Sequence, residues 1–140
     1  GYQTGIIRIW DPHSCQVIFE NSVHKCPVIQ ILYHGQTFVS LSQDGCVAFS
    51  NIISHVIERK VYLKGCNLHD KSRMAISGNS ILIGGDDGLI YEFSIIDGKH
   101  VSTWPSFHTS PITALSSNKY YVISGDKSGK IKIWNVQTNK

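Results

Sequence analysis

Charged residues, helical periodicity and long apolar runs are all scarce in this chain of 140 residues, and each of these features excludes one class of protein. Charged residues make up only 16% of the sequence, while apolar residues make up 41%. That composition predicts a packed core and excludes a disordered, highly charged tail. No stretch of ten or more residues repeats its apolar positions with a helical period, so we predict little or no helix. No apolar run approaches the length of about 18 residues that a membrane helix needs, and we predict no membrane partner.

The cysteines and histidines lack the spacings that metal sites use. Neither a C-x-x-C nor an H-x-x-x-H pair occurs, so we predict no metal ion and no cofactor. The cysteines are interpreted as reduced thiols that pack as small apolar side chains. Because neither a glycosylation sequon nor a secretory signal is visible, we expect an intracellular protein, cytoplasmic or nuclear. The four cysteines are Cys15, Cys26, Cys46 and Cys66.

What the chain does contain is a motif that occurs four times. Each copy has a turn that contains glycine, then an alternating apolar strand, then a residue pair that reads Trp-Asp or a changed version of it. The copies cover residues 4–11, 44–51, 87–94 and 128–135. Their matching positions are Trp10, Ser50, Phe93 and Trp134, which lie 40, 43 and 41 residues apart. A period of roughly 40–45 residues with four short strands per copy is typical of a β-propeller blade.

Short strands and tight turns fill the spaces between these motifs. β-Branched and aromatic residues alternate between Gly, Asn, Asp and Ser turns, as in antiparallel meanders. We predict strands at 5–10, 16–20, 28–33, 37–41, 46–51, 55–63, 73–77, 81–84, 89–95, 100–104, 112–116, 121–124 and 130–136. The predicted fold class is all-β, with blades of four antiparallel strands that form an incomplete propeller segment.

The repeats resemble the WD-repeat β-propeller family over essentially the whole chain. In that family a histidine stands before the first strand of a blade, and His24 and His108 each stand 26 residues before Ser50 and Trp134. A proline follows each histidine three residues later. The resemblance implies one propeller segment of about three and a quarter blades, divided at 1–20, 21–64, 65–105 and 106–140. Since closed propellers need at least about four blades, we expect other blades from the rest of a longer chain or from a second copy.

The resemblance also implies a structural hydrogen-bonded tetrad of His, Ser, Asp and Trp in each well-preserved blade. Such a chain satisfies buried polar groups together. Because each repeat departs from the family pattern somewhere, we expect no complete tetrad, and lower amide-exchange protection over 46–51 than over 130–135. Ser50 replaces Trp in the second repeat, and Ser128 occupies the Asp position of the fourth; Ile83 and Phe93 replace Ser and Trp in the third. The matching residues are Trp10 and Asp11 in the first repeat, His24, Ser40 and Asp44 in the second, Asp87 in the third, and His108, Ser124 and Trp134 in the fourth. His69 lies near the histidine position of the third.

For function, the resemblance implies a non-enzymatic scaffold that displays propeller loops to a peptide or protein partner. We predict no catalytic residues, because no acid–base constellation is visible and the glycine-rich segment 84–88 is typical of a tight turn. Candidate partner-binding residues are Lys25, Lys71, Arg73, Trp104 and Phe107. The cations would suit an acidic or phosphorylated peptide. Packing of the two aromatic side chains between blades is the alternative interpretation of Trp104 and Phe107.

A second function class is a subunit of an RNA-processing or ribosome-assembly complex whose basic surface faces nucleic acid. The chain has a formal net charge of +3, and Lys127, Lys130 and Lys132 lie close together in sequence. Binding of this kind weakens steeply with salt, whereas peptide binding does so only modestly.

Overall fold

The structure is a computed structural model that describes residues 4–63, 68, 72–105 and 108–136. Within these residues the regular structure consists of strands, with no helix. The described part therefore confirms the predicted all-β class. It contains no helix long and apolar enough to cross a membrane.

Thirteen strands are present in the described residues, close to the predicted positions. They are β1 (Ile6–Trp10), β2 (Val17–Ser22), β3 (Val28–His34), β4 (Thr37–Ser42), β5 (Cys46–Asn51), β6 (Ile57–Tyr62), β7 (Arg73–Ser77), β8 (Ser80–Gly84), β9 (Ile90–Ser94), β10 (His100–Trp104), β11 (Ile112–Ser117), β12 (Tyr121–Asp126) and β13 (Ile131–Asn135). The bounds differ by at most two residues, and β6 begins two residues later than predicted. His55 has a φ of 61°, in the left-handed region, so it belongs to the preceding turn rather than to the strand.

Among the described strands, all neighbouring pairs are antiparallel, and they form four sheets. The first sheet contains β1 and β2, the second β3 to β6, the third β7 to β10, and the fourth β11 to β13. The chain divides into an N-terminal unit, residues 1–62, and a C-terminal unit, residues 63–140. Each unit holds two successive sheets. The limits predicted for the individual blades stay a prediction.

The repeated glycine lies at a turn where the backbone of the next sheet approaches closely. Gly5 and Gly88 both have a φ of 79°, which a residue with a side chain rarely adopts. A Cβ atom would lie 2.0 Å from the carbonyl oxygen of His24 at Gly5, and 2.3 Å from that of His108 at Gly88. Glycine at this repeat position therefore lets the turn of one sheet contact the histidine loop of the following sheet.

The C-terminal unit has its core between its two sheets. Leu82 and Ile90 of the third sheet belong to the same buried cluster as Leu115, Val122 and Trp134 of the fourth. Burying an aliphatic side chain of this size contributes about 1.5–3 kcal/mol, so this contact is a main source of stability.

The N-terminal unit repeats this arrangement with different residues. Ile7 of the first sheet lies in a buried cluster with Val23, Phe38 and Ala48, and Ile31 packs against the cluster. By the repeat spacing, Ile7 is the counterpart of Ile90, Ile31 of Leu115, and Phe38 of Val122. Within each unit, the two sheets thus pack on each other through equivalent faces.

Candidate protein-interaction surface

A chain of four buried polar groups links the fourth sheet to the loop before it. The indole Nε1 of Trp134 donates to Ser124 Oγ over 2.9 Å, and Ser124 Oγ lies 2.8 Å from His108 Nε2. His108 Nδ1 lies 2.8 Å from Asp126 Oδ2. The expectation that no repeat has a complete tetrad was therefore wrong. Asp126, two residues before the position assigned to the acid, supplies the carboxylate, because its place at the end of β12 brings it within reach of the imidazole.

Asp126 also organises the turn between β12 and β13. One carboxylate oxygen accepts hydrogen bonds from the backbone N–H groups of Ser128 and Lys130, at 2.9 and 3.0 Å, and from the Ser128 hydroxyl at 2.6 Å. The Ser128 hydroxyl and then the His108 imidazole hold the pKa of Asp126 well below its usual range. This carboxylate therefore joins the histidine loop to the turn, which is a structural role.

The second sheet contains an incomplete version of the same network. His24 Nε2 lies 2.7 Å from Ser40 Oγ, but His24 Nδ1 has no hydrogen-bond partner among the described residues. Ser42 is the counterpart of Asp126, and its hydroxyl donates to Asp44 instead. Burial, together with the charge of Lys60, lowers the pKa of His24 to about 4. Ser50, which stands where Trp134 stands in the fourth sheet, also leaves its buried hydroxyl unpartnered in the described structure.

In the first and third repeats, the residues at the repeat positions contact groups that lie close to them in the chain or in their own sheet. Asp87 accepts a hydrogen bond from the backbone N–H of Leu89 at 3.0 Å and from the Tyr91 hydroxyl. Phe93 is buried in the third sheet. Asp11 accepts from the backbone N–H of His13 at 2.8 Å and so stabilises the turn after β1. His69 lies outside the described residues, as does Cys66.

The structure places the predicted partner-binding residues in different environments. Trp104 is only 4% exposed, donates its indole N–H to Glu92, and lies with its ring centroid 6.2 Å from that of Trp134. We therefore remove Trp104 from the candidate contact surface, because it packs in the core. Lys25 is exposed, and Arg73 is half-buried with its guanidinium donating to the Ser72 carbonyl. Lys71 and Phe107 lie outside the described residues, so the proposed cationic mouth stays a prediction.

A groove in the N-terminal unit carries the exposed aromatic residues that the sequence interpretation missed. We call it the β1 groove; it encloses about 260 Å³. It is lined by Ile7, Arg8, Ile9, Trp10, Ile31, Tyr33, Phe38 and Ile52. Trp10 is 49% exposed and Tyr33 80% exposed. Trp10 was interpreted only as a repeat position and Tyr33 only as a strand residue, because side-chain exposure has no signal in such a pattern.

A second exposed apolar surface is the outer face of the fourth sheet. Ile123, Ile131 and Ile133 are exposed there, and the last two lie on β13. The third-sheet counterparts of Ile123 and Ile131 are Leu82 and Ile90, which are fully buried beneath the fourth sheet. The outer face therefore has the chemistry of a sheet-stacking surface. Among the described residues, no group of three or more His, Cys, Asp and Glu side chains is arranged to hold a metal ion.

No protein-family model matches the chain, and no curated protein matches it. Solved structures do. The computationally designed Ika4 protein is 27% identical over 96% of this chain and 81% of its own, with a TM-score of 0.69. The designed Ika8 protein is 27% identical over 99% of this chain and 42% of its own, with a TM-score of 0.70. A chain in the Mitotic Checkpoint Complex is 18% identical over 99% of this chain and 44% of its own, with a TM-score of 0.73.

These similarities and the antiparallel sheets define the class of the protein as propeller-like. The chain spans less than half the length of the Ika8 chain and of the checkpoint-complex chain. Two of the four sheets have four strands in the described residues, whereas the first has two and the fourth three, so the segment is an incomplete one.

Proposed function

We propose that this chain is part of a WD-repeat β-propeller and acts as a non-enzymatic scaffold that holds a peptide or protein partner. The observation that carries the proposal is the buried hydrogen-bond network around His108 in the fourth sheet, which has the residue types of the WD-repeat tetrad and a structural role. Exposed aromatic side chains such as that of Tyr33, which is 80% exposed, add to it. Aromatic side chains around an apolar pocket are typical anchors of protein–protein contacts. The polar residues with repeat-specific positions support the same conclusion, since His108, Ser124 and Asp126 bind one another and stabilise a turn.

Family resemblance supports the WD-repeat assignment through the histidine and Trp-Asp spacings. The propeller-like fold adds to it, and one structural neighbour is a chain in a multi-protein complex. Fold alone does not determine function, so the scaffold role needs a direct binding experiment.

A peptide library displayed on phage and selected against the immobilised chain tests the scaffold role. We expect enriched peptides that share a sequence pattern and compete with one another for the chain. Tyr33→Ala should weaken their binding by about tenfold, since a buried aromatic anchor contributes at least about 1.4 kcal/mol. Tyr120→Ala, which removes an exposed tyrosine of the C-terminal unit, is the matched control and should change nothing. A selection that enriches no shared pattern in repeated rounds would contradict the scaffold role.

The nucleic-acid alternative stays a prediction, and it is separable from the scaffold role by salt. Retention of the chain on immobilised RNA, and its steep loss between about 50 and 200 mM salt, would favour that class. A phosphate-binding surface should also weaken when Lys127 and Lys130 are both changed to Ala, because both side chains are exposed near the turn before β13.

A further inference from the structure

The third repeat lacks two members of the WD-repeat tetrad, but it contains a hydrogen-bond network of its own. The carboxylate of Glu92 on β9 accepts hydrogen bonds from the hydroxyl groups of Ser80, at 2.6 Å, and Ser102, at 2.5 Å. It also accepts the indole N–H of Trp104 at 3.0 Å. These four residues, which we call the Glu92 network, join the side chains of β8, β9 and β10.

We propose that the Glu92 network couples the third sheet to the histidine loop of the fourth sheet, so that a change in one alters the stability of the other. Glu92 acts as a positioning residue, because its carboxylate fixes the indole of Trp104 where that ring meets the fourth sheet. This inference goes beyond the scaffold function and does not depend on it.

The first step concerns the residue types. Glu92 lies at a position where each of the other repeats has an apolar residue, and its counterparts by repeat spacing are Ile9, Phe49 and Ile133. A charge that is partly removed from water is costly unless hydrogen bonds compensate it. In the second sheet, the counterparts of its three donors are Thr37, Arg59 and Val61. Because the carboxylate and its donors occur together in the third repeat, they form one unit.

The second step concerns the charge of this group. Burial raises the pKa of Glu92, but hydrogen bonds from Ser102, Ser80 and Trp104 outweigh that effect and hold the pKa below its usual range. The carboxylate is therefore ionised at neutral pH. Hydrogen bonds to an ionised acceptor are stronger than those between neutral groups, so the three donors are held firmly.

The third step concerns the contact with the fourth sheet. Trp104 and Trp134 belong to one buried cluster, and their ring centroids lie 6.2 Å apart. Trp134 donates its indole N–H to Ser124, whose hydroxyl lies 2.8 Å from His108 Nε2. A shift of the Trp104 ring would therefore disturb Trp134 and, through the shared serine, the histidine loop.

Replacement of Glu92 by the residue type of the fourth repeat tests the proposal. In the full 140-residue chain, Glu92→Ile leaves three donors without their acceptor, and NMR follows hydrogen exchange of the indole N–H groups. We expect exchange of the Trp104 indole N–H to become at least about tenfold faster. Exchange of the Trp134 indole N–H should become about threefold faster through the ring contact. If the position merely favours an apolar residue, both groups should exchange more slowly, and the proposal is wrong.

Two further variants control this experiment. Glu58→Ile removes a carboxylate of β6 that accepts a hydrogen bond from Asn51, and it should leave both indole signals unchanged. Ser102→Ala removes one donor and keeps the indole bond, so exchange of the Trp104 indole N–H should become only about threefold faster. If Glu92→Ile fails to fold, this milder variant decides by the same two signals, and unchanged exchange of both would contradict the network.

A double-mutant cycle tests the coupling itself. Ser102→Ala and Asp126→Asn each weaken one of the two networks, and exchange of the Trp134 indole N–H is measured in both single variants and in the double variant. For coupled networks, the combined change in rate should differ from the product of the two separate changes. A combined change equal to that product, or unchanged Trp134 exchange in a folded Glu92→Ile chain, would overturn the proposal.

Discussion

The second and fourth repeats contain the same two polar residue types in opposite order. The second reads Ser42-Gln43-Asp44 and the fourth Asp126-Lys127-Ser128. In both, the serine hydroxyl donates to the carboxylate. Of the two acids, only Asp126 also contacts a histidine, at 2.8 Å. The position of the acid in the turn, rather than its presence there, therefore decides whether the histidine has a carboxylate partner.

The opposite order of serine and aspartate changes the hydrogen bonding of the histidine. Both ring nitrogens of His108 have partners, whereas His24 Nδ1 has none in the described structure. An unpaired polar atom away from water costs about 1–3 kcal/mol, so the second repeat carries a cost that the fourth avoids. Burial of apolar side chains offsets this cost in the second repeat, where Val39, Leu41 and Val47 are completely buried in a sheet of four strands.

Removing the acid of the fourth repeat should have the largest effect. Asp126→Ser leaves His108 Nδ1 and the turn amides without their acceptor. Since each buried donor left without an acceptor costs about 1–3 kcal/mol, we expect a loss of about 3 kcal/mol in the C-terminal unit, measured by hydrogen exchange. Ser128→Ala is the matched control and should cost about 1 kcal/mol, because it removes one donor and leaves the histidine contact. Equal losses in the two variants would contradict the central role of Asp126.

Acidification should separate the two repeats next. His24 has a pKa of about 4 in the folded chain against an ordinary value of 6.5. Between these values the unfolded chain takes up a proton that the folded chain refuses, so stability falls as the pH decreases from about 6.5 to 4. At about 1.36 kcal/mol per pKa unit, the loss is at most about 3 kcal/mol. The pKa of Asp126 is lowered from 3.8, so the stability that its carboxylate contributes is lost only below about pH 3.8.

Chemical denaturation of the chain at a series of pH values measures this loss. The matched variant is His24→Gln, in which the slope between pH 6.5 and 4 should become smaller. An unchanged slope in that variant would assign the pH dependence to other groups.

Amide exchange sharpens the comparison without a mutation. The missing Trp of the second repeat predicts lower protection over 46–51 than over 130–135, but the structure leads us to expect the opposite order. β5 is paired on both sides and buried, whereas β13 pairs only with β12 in the described structure, and Ile131 is 73% exposed. We expect exchange at least about tenfold slower in β5. Faster exchange in β5 would mean that the polar network contributes more than strand pairing.

The smallest effect should come from repairing the second repeat. The double variant Ser42→Asp and Asp44→Ser copies the order of the fourth and gives His24 Nδ1 a carboxylate partner. We expect a gain of about 1 kcal/mol and a rise in the pKa of His24, followed by NMR titration. The single variant Ser42→Asp should gain less, because two carboxylates would then repel each other. A pKa of His24 that stays near 4 in the double variant would show that the new carboxylate does not reach it.

Much of the fold was predictable because strand alternation and turn glycines are local signals. The thirteen strands and their antiparallel order followed from these patterns. His24 and His108 were found by spacing, and both lie within hydrogen-bond distance of the strand serine sixteen residues later. Asp126 was missed because the alignment counted back from Trp134 to the turn, while the reach of a side chain depends on where the strand ends.

The candidate surface was less predictable, for a physical reason. An exposed loop aromatic and a core aromatic look alike in sequence, so partner contact and core packing both stayed open for Trp104, and the structure packs it against Trp134. Tyr33 was overlooked because its exposure depends on the sheet that lies beside it. The roles of Lys71 and Arg73 in partner binding remain predictions, and Lys71 lies outside the described residues.

By itself, the amino-acid sequence determined the period of about 40 residues, the strand class and the positions of the repeated glycines, since these depend on backbone geometry and side-chain alternation within a few residues. Only the tertiary structure decided which acid meets a histidine, which tryptophan is buried and where a cavity lies beside β1. Those outcomes depend on the distance between groups far apart in the chain, which packing of one sheet on another determines.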